Sequence, residues 1–170
     1  PVSTQKNVIH KKLKDIELHD DFVSVIATKG PVTDIKQFTR ADGTSGSLRR
    51  SVIFDETSAM TLVVWDNCIS LFDEVNQSPF QATKLKVKKS RFGAIELHSA
   101  TDTEFLPITS TGFPQEAPII DIHDINPEMS LVSVQGIIKS VSELREFKKS
   151  DGTTGKVISM DIQDTTGSIR

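Results

Sequence analysis

A single cysteine, Cys68, among 170 residues excludes an internal disulfide framework and suits a reducing compartment. Its apolar flanks read as those of a buried structural thiol. No apolar run nears the roughly 18–20 residues that span a bilayer, and the opening stretch PVSTQKNVIHKKLKD lacks the apolar core of a signal peptide. Positive charge is not in excess: 20 Lys and Arg stand against 23 Asp and Glu, a net charge of −3. Composition therefore announces no polyanion partner, although a local cationic groove suffices to hold phosphates. Catalytic spacings are missing as well. His10, His19, His98 and His123 are scattered without paired metal spacing. There is no Cys-x-x-Cys, no phosphate-cradling loop and no serine in a nucleophile elbow. The acidic pair Asp20-Asp21 precedes a strand and Asp55-Glu56 forms a turn. The expectation is a binding module rather than an enzyme, without metal or cofactor.

What is present is a repeat. Displacing the chain by 109 positions lays Asp15–Thr61 over Asp124–Arg170 without a gap, with about 14 identities in about 47 positions. FTRADGTSG (38–46) returns as FKKSDGTTG (147–155), FVSV (22–25) as LVSV (131–134), and Asp55 as Asp164. A period of that size is a domain, so the pattern is tandem duplication. The second copy stops at the position matching Thr61. A start at Pro1 without methionine and a stop inside a strand read as a piece of a longer protein built of several such domains.

Within the first copy the apolar period is mostly two and the punctuation is Gly, Asp, Asn, Ser and Thr, which predicts strands and turns. FVSVIATKGPVTDIKQF is a long first strand, with Gly30 placed for a bulge or kink. The glycines of DGTSG supply a turn. SLRRSVIFD and MTLVVWD are the second and third strands, the latter with Met60, Leu62 and Val64 on one face and Thr61, Val63 and Trp65 on the other. Ile69, Phe72 and Val75 in NCISLFDEVN (67–76) have helical spacing, with Asn67 as N-cap. ATKLKVKKS is a fourth strand, Leu85 and Val87 inward and Lys84, Lys86 and Lys88 outward. FGAIELHS is a fifth, with Ile95 and Leu97 inward.

Three strands, a helix and two strands in about 85 residues is the element order of an OB-fold, a five-stranded, partly open Greek-key barrel. The expected division is an N-terminal extension at 1–13, an OB-fold domain at 14–100, a linker at 101–121 and an incomplete second OB-fold at 122–170. The last contains only the first two strands and the start of the third, too few to close a barrel.

On these residues the chain resembles the OB-fold repeats of replication protein A, and in its KDIELHDDFVSVIA entry the archaeal members. The motifs are DGTSG followed by SVIFDETSAMTLVVWD, then KKSRFGAIELHS; they cover about 14–100 fully and 124–170 partly. Two positions depart from the family pattern. Ser58 stands where Gly is usual and Thr61 where Arg is frequent, whereas the second copy has Gly167 and Arg170. The resemblance implies single-stranded DNA binding in replication, repair and recombination, largely without sequence preference. It also implies replication or repair proteins as partners, and a cytoplasmic location, nucleoid-associated in an archaeon or nuclear in a eukaryote.

The family stacks bases on one aromatic of the third strand and one in the loop before the fifth, which by motif are Trp65 and Phe92. Alternation also turns Trp65 outward, and Phe92 sits in a polar hinge where no core periodicity asks for it. Lys36, Arg40, Arg50, Lys84, Lys86, Lys88 and Arg91 cluster on the bordering segments as candidate phosphate ligands. The register of the second copy, with Ile158, Met160 and Ile162 inward, makes Arg50 the outward residue of the SLRRS strand and Arg49 the misfit. Phe38 fits stacking and turn packing equally. The competing readings are an OB module for protein partners and an RNA-binding OB domain. A homodimer through the partial repeat is the expected way to cover its apolar face.

Overall fold

The computed structural model describes residues 9–75, 79–109 and 112–170. Positions 1–8 of the expected extension, Asn76 at the end of the expected helix and 110–111 of the expected linker lie outside the described residues. The chain forms two units, Pro1–Pro118 with Asn126–Val132, and Ile119–Ile125 with Ser133–Arg170.

The first unit is a closed barrel. Its strands are β1 (Phe22–Val32), β2 (Lys36–Thr39), β3 (Ser45–Phe54), β4 (Ala59–Trp65), β5 (Phe80–Lys89) and β6 (Ile95–His98), with helix α1 (Cys68–Glu74) between β4 and β5. β1 pairs with β3, β3 with β4, β4 with β6, β6 with β5, and β5 returns to β1. The β4–β6 pairing is parallel and the others are antiparallel. Closure removes the exposed edges that an open sheet of these apolar strands would present. Val25, Leu62, Leu85 and Leu97 fill the interior, and α1 closes one end with Ile69, Phe72 and Val75. In β1 the register with β3 slips between Lys29 and Val32. The bend falls at Gly30, where a β-carbon would lie 3.0 Å from the Val52 carbonyl oxygen.

Four expectations are corrected. The long first strand expected over 22–38 is two strands, β1 and β2, with residues 33–35 between them. Asn67 precedes α1, but its side chain caps nothing. The chain enters the helix through Asp66, whose φ is +48°, and the Asp66 carbonyl accepts from the Ile69 amide. The segment before 14 is not merely an extension: Leu13 is buried, and the Lys11 amide donates to the Ser24 carbonyl at 2.8 Å. The stretch 101–121 is not merely a linker either, because β7 (Glu104–Pro107) pairs with β5 and buries Phe105 against Phe72 and Phe80. Residues 126–132 also complete this unit. Ser130 Oγ accepts from the Thr61 amide and the Glu128 carbonyl from the Ile95 amide, both at 2.8 Å.

A carboxylate latch explains why Asp55 recurs as Asp164. Buried Asp55 accepts the Leu13 amide on one oxygen and the Thr57 amide, Thr57 hydroxyl and Ser58 amide on the other. Asp164 does the same with the Ile122 amide, Thr166 and the Gly167 amide. In each copy the carboxylate ties the turn before the third OB strand to a short 3-10 turn 42 residues upstream.

The second unit has β8 (Ile137–Val141), β9 (Arg145–Lys148), β10 (Thr154–Val157), β11 (Met160–Gln163) and β12 (Ser168–Ile169). β12, β11 and β8 form one small sheet, and β9 and β10 a hairpin. Ile137, Ile138, Val141 and Ile158 are each about half exposed or more, since no further strand among the described residues covers them.

Candidate nucleic-acid interface

Strand register assembles the outer face of the barrel. Across it runs a row of directly paired residues: Arg50 on β3, Val63 on β4, His98 on β6, Lys86 on β5 and Phe22 on β1. A neighbouring row holds Val52, Thr61, Glu96 and Lys88, and another Lys36, Leu48 and Trp65. Directly paired residues share a face of the sheet, so Lys36, Arg50, Trp65, Lys86 and Lys88 look outward together. Among the described residues Lys36, Arg50, Lys86 and Lys88 have no salt-bridge partner. None of the four is neutralised by a carboxylate, although the Lys86 ammonium lies 5.5 Å from the centre of the Phe22 ring. Val63 is completely buried although it faces outward, lying between Arg50 and His98.

Trp65 ends β4 and is half-buried. Its backbone amide donates to Ser99 Oγ at 2.9 Å, and its indole Nε1 donates to His98 Nδ1 at 3.1 Å. The two rings are 26° from parallel with centroids 5.8 Å apart. An indole N–H lies in the ring plane, so an acceptor bonded to it sits beside the ring and not above it. The pair is therefore joined edge to edge, and His98 leaves the indole faces open. Phe38 meets Trp65 edge to face at 5.8 Å. Phe38 lies across β3 from Gly46, where a β-carbon would be 2.4 Å from its Cζ. Phe147 covers Gly155 in the same way, with 2.5 Å. That is why Phe and Gly recur together. In the first copy the same Phe also borders the tryptophan.

A cleft of about 600 Å³ opens beside Trp65 and includes Arg40, Lys86, Lys88 and Ser99 in its walls. Arg40 pairs with Asp66 at 2.5 Å and lies 5.5 Å above the Phe38 ring. The Ser47 amide, then Arg40, hold the Asp66 carboxyl below its ordinary range. Phe92 is 79% exposed in the Ser90–Ala94 turn, with the Arg91 guanidinium 4.5 Å from its ring centre. Because β4 and β6 run parallel, Trp65 at the far end of β4 and Phe92 before the start of β6 mark opposite ends of the strands. They cannot sandwich one planar group; each offers a platform of its own.

Two candidates stand apart. Lys84 sits in a β1–β5 register slip with φ of +56° and pairs with Asp102 at 2.9 Å, which raises its pKa. It does not line the cleft. Arg49, the register misfit, turns to α1, where Nη1 contacts both Asp73 oxygens at 2.6 and 2.7 Å. Sequence reasoning missed His98. Its role depends on the β4–β6 pairing, which brings His98 to Trp65, 33 residues earlier, and no local pattern carries that signal. Burial holds the His98 imidazole below its ordinary value of 6.5, and Lys88 adds to this while Glu96 opposes it. Among the described residues no group of His, Cys, Asp and Glu could hold a metal ion, and no helix is long and apolar enough to cross a membrane.

Comparison with known proteins meets this geometry at 32% identity over 155 residues with Replication factor A of Methanothermobacter thermautotrophicus. The chain is related to replication factor A. The match takes in 90% of this chain and 19% of that protein, so the chain spans about a fifth of the relative's length. No protein-family model matches. Among solved structures, a replication protein A heterotrimer bound to ssDNA superposes with a TM-score of 0.55 at 15% identity, over 91% of this chain and 39% of that one. A replication factor A related protein from Methanobacterium thermoautotrophicum gives 0.50 at 17% identity, over 57% and 88%. These likenesses place the barrel among OB-folds.

Proposed function

We propose that the first unit binds single-stranded DNA along the outer face of its barrel, with little sequence preference, as part of DNA replication. The observation that carries this is a set of cations without salt-bridge partners, Lys36, Arg50, Lys86 and Lys88, on the same outer face as a half-exposed indole that His98 holds by its edge. The relative's name and the ssDNA-bound heterotrimer support the reading. Bases stack on Trp65 and on Phe92 at separate positions, and the cations hold the phosphates between. Duplex DNA is disfavoured because paired bases do not offer their faces. Roles in repair and recombination, replication proteins as partners, and a cytoplasmic or nuclear location where DNA is copied follow from the same reading.

The test is fluorescence titration with oligo-dT, competed with RNA and with duplex DNA. Trp65→Ala and Phe92→Ala are each expected to weaken oligo-dT binding by about 1–3 kcal/mol. Wild-type affinity in both variants overturns the stacking assignment. RNA competing as well as oligo-dT makes this an RNA-binding OB domain, and no nucleic-acid binding at all makes it a module for protein partners. Log K should fall with log salt by roughly 0.7 for each phosphate neutralised. A flat titration removes the cations from the mechanism.

A further inference from the structure

We propose that His98 is a positioning residue for Trp65: neutral imidazole fixes the plane of the indole, and protonated imidazole releases it. This rests on the reading of Trp65 as a base platform. The geometry sets the tautomer. Nδ1 accepts from the indole Nε1 at 3.1 Å, so it carries no proton, and the proton is on Nε2, which faces Glu96 Oε2 at 3.4 Å. Trp65, His98 and Glu96 thus form a directional chain across the outer face, the indole donating to the imidazole and the imidazole to the carboxylate. His98 is 9% exposed and cannot turn freely to seek another donor.

A second proton on the imidazole goes to Nδ1, which then points a donor at the indole donor. Two N–H groups 3.1 Å apart repel, and the bond that holds the ring is gone. The charged groups around the imidazole come from each neighbouring strand: Glu96 on its own β6, Lys86 and Lys88 on β5, and Arg50 on β3, with the Arg40–Asp66 pair on the walls of the cleft. Burial first, then Lys88 and Arg50 against Glu96, hold the imidazole below its ordinary value, so the ring is neutral near pH 7.

Trp65 is the sole tryptophan, which gives the experiment an optical reporter independent of DNA. In the free wild-type chain, indole fluorescence should titrate between pH 7.5 and 4.5 with a midpoint below 6.5, since imidazolium quenches a neighbouring indole. His98→Asn, whose carbonyl can replace Nδ1 as acceptor, should bind oligo-dT within twofold of wild type and show no titration. His98→Leu should lose roughly fivefold at pH 7.5. A flat wild-type titration, or one that His98→Asn leaves unchanged, overturns the proposal. So does His98→Leu binding like wild type while Trp65→Ala is weak. Trp65→Ala binding like wild type instead defeats the platform reading, and the titration then decides the hydrogen bond by itself. The wild-type titration also stands if His98→Leu does not fold.

Discussion

At the scale of single residues, close approach decides which residue two positions can hold. Gly46 and Gly155 are present because a phenyl ring occupies the space a β-carbon would take. Gly46→Ala keeps an allowed backbone but pushes Phe38 off β3. The expected result is a stability loss of about 1 kcal/mol in urea unfolding, typical of mild overpacking, with a shifted Trp65 emission because its edge-to-face neighbour has moved. Asp55 is the more demanding position. Asp55→Ala strips the acceptor from the Leu13, Thr57 and Ser58 amides, the first of them buried. It should cost about 3 kcal/mol by the same measurement. Outward Trp65 was legible from alternation, as was exposed Phe92 from its polar hinge. His98 and the Lys84–Asp102 pair were not, because each depends on which strands meet. Thr61 shows the same limit. In the second copy Arg170 is bonded to Asp161, but the residue matching Asp161 in the first copy is Val52, paired directly with Thr61. Both members of the ion pair are absent together, and a single departure from a motif does not reveal that.

At the scale of elements, the barrel strands were legible because each alternates and each ends in residues that turn, although the break of the first into β1 and β2 at 33–35 was not. Helix α1 was legible from three apolar positions that the structure buries. β7 was not: four residues with one buried Phe, set among Thr, Ser and Pro, carry too little pattern to distinguish an added strand from a linker. The element with a pH signature is the turn held by Asp164. Its carboxyl lies at about 2, pulled down first by the Ile122 amide and further by Thr166 and Gly167. A folded pKa below the ordinary 3.8 gives stability that is complete above that value and fades as pH falls through about 2. Protection of the Ile122 amide against hydrogen exchange should fall over that interval in the wild-type chain. In Asp164→Asn it should be lower and independent of pH there. Equal protection at pH 2 and pH 5 in the wild type contradicts the latch.

At the scale of the whole molecule, the two units bury very different amounts of apolar surface. The first holds nearly all the fully buried side chains, Phe72, Phe80, Leu62 and Leu97 among them. In the second, no described side chain is fully buried, and Ile122, 7% exposed, is the one buried apolar residue among those described. Local stability follows buried contacts. Amide exchange followed by mass spectrometry should therefore find β4, β5 and β6 protected by orders of magnitude more than β8 to β12. Comparable protection in the two units would mean that something covers the apolar side of the second. A second copy of the chain is the occupant the sequence suggested, and sedimentation of wild type against a chain ending at Val132 tests it.

The segment 126–132 gives the duplication a different meaning. By the 109-residue offset these residues match 17–23, the approach to the first strand, yet they complete the first unit by receiving the Thr61 and Ile95 amides. Heredity and folding are therefore out of phase in this chain. The segment copied as the beginning of one barrel finishes the barrel before it, and exchanging whole repeats would carry away a piece of the neighbour left behind.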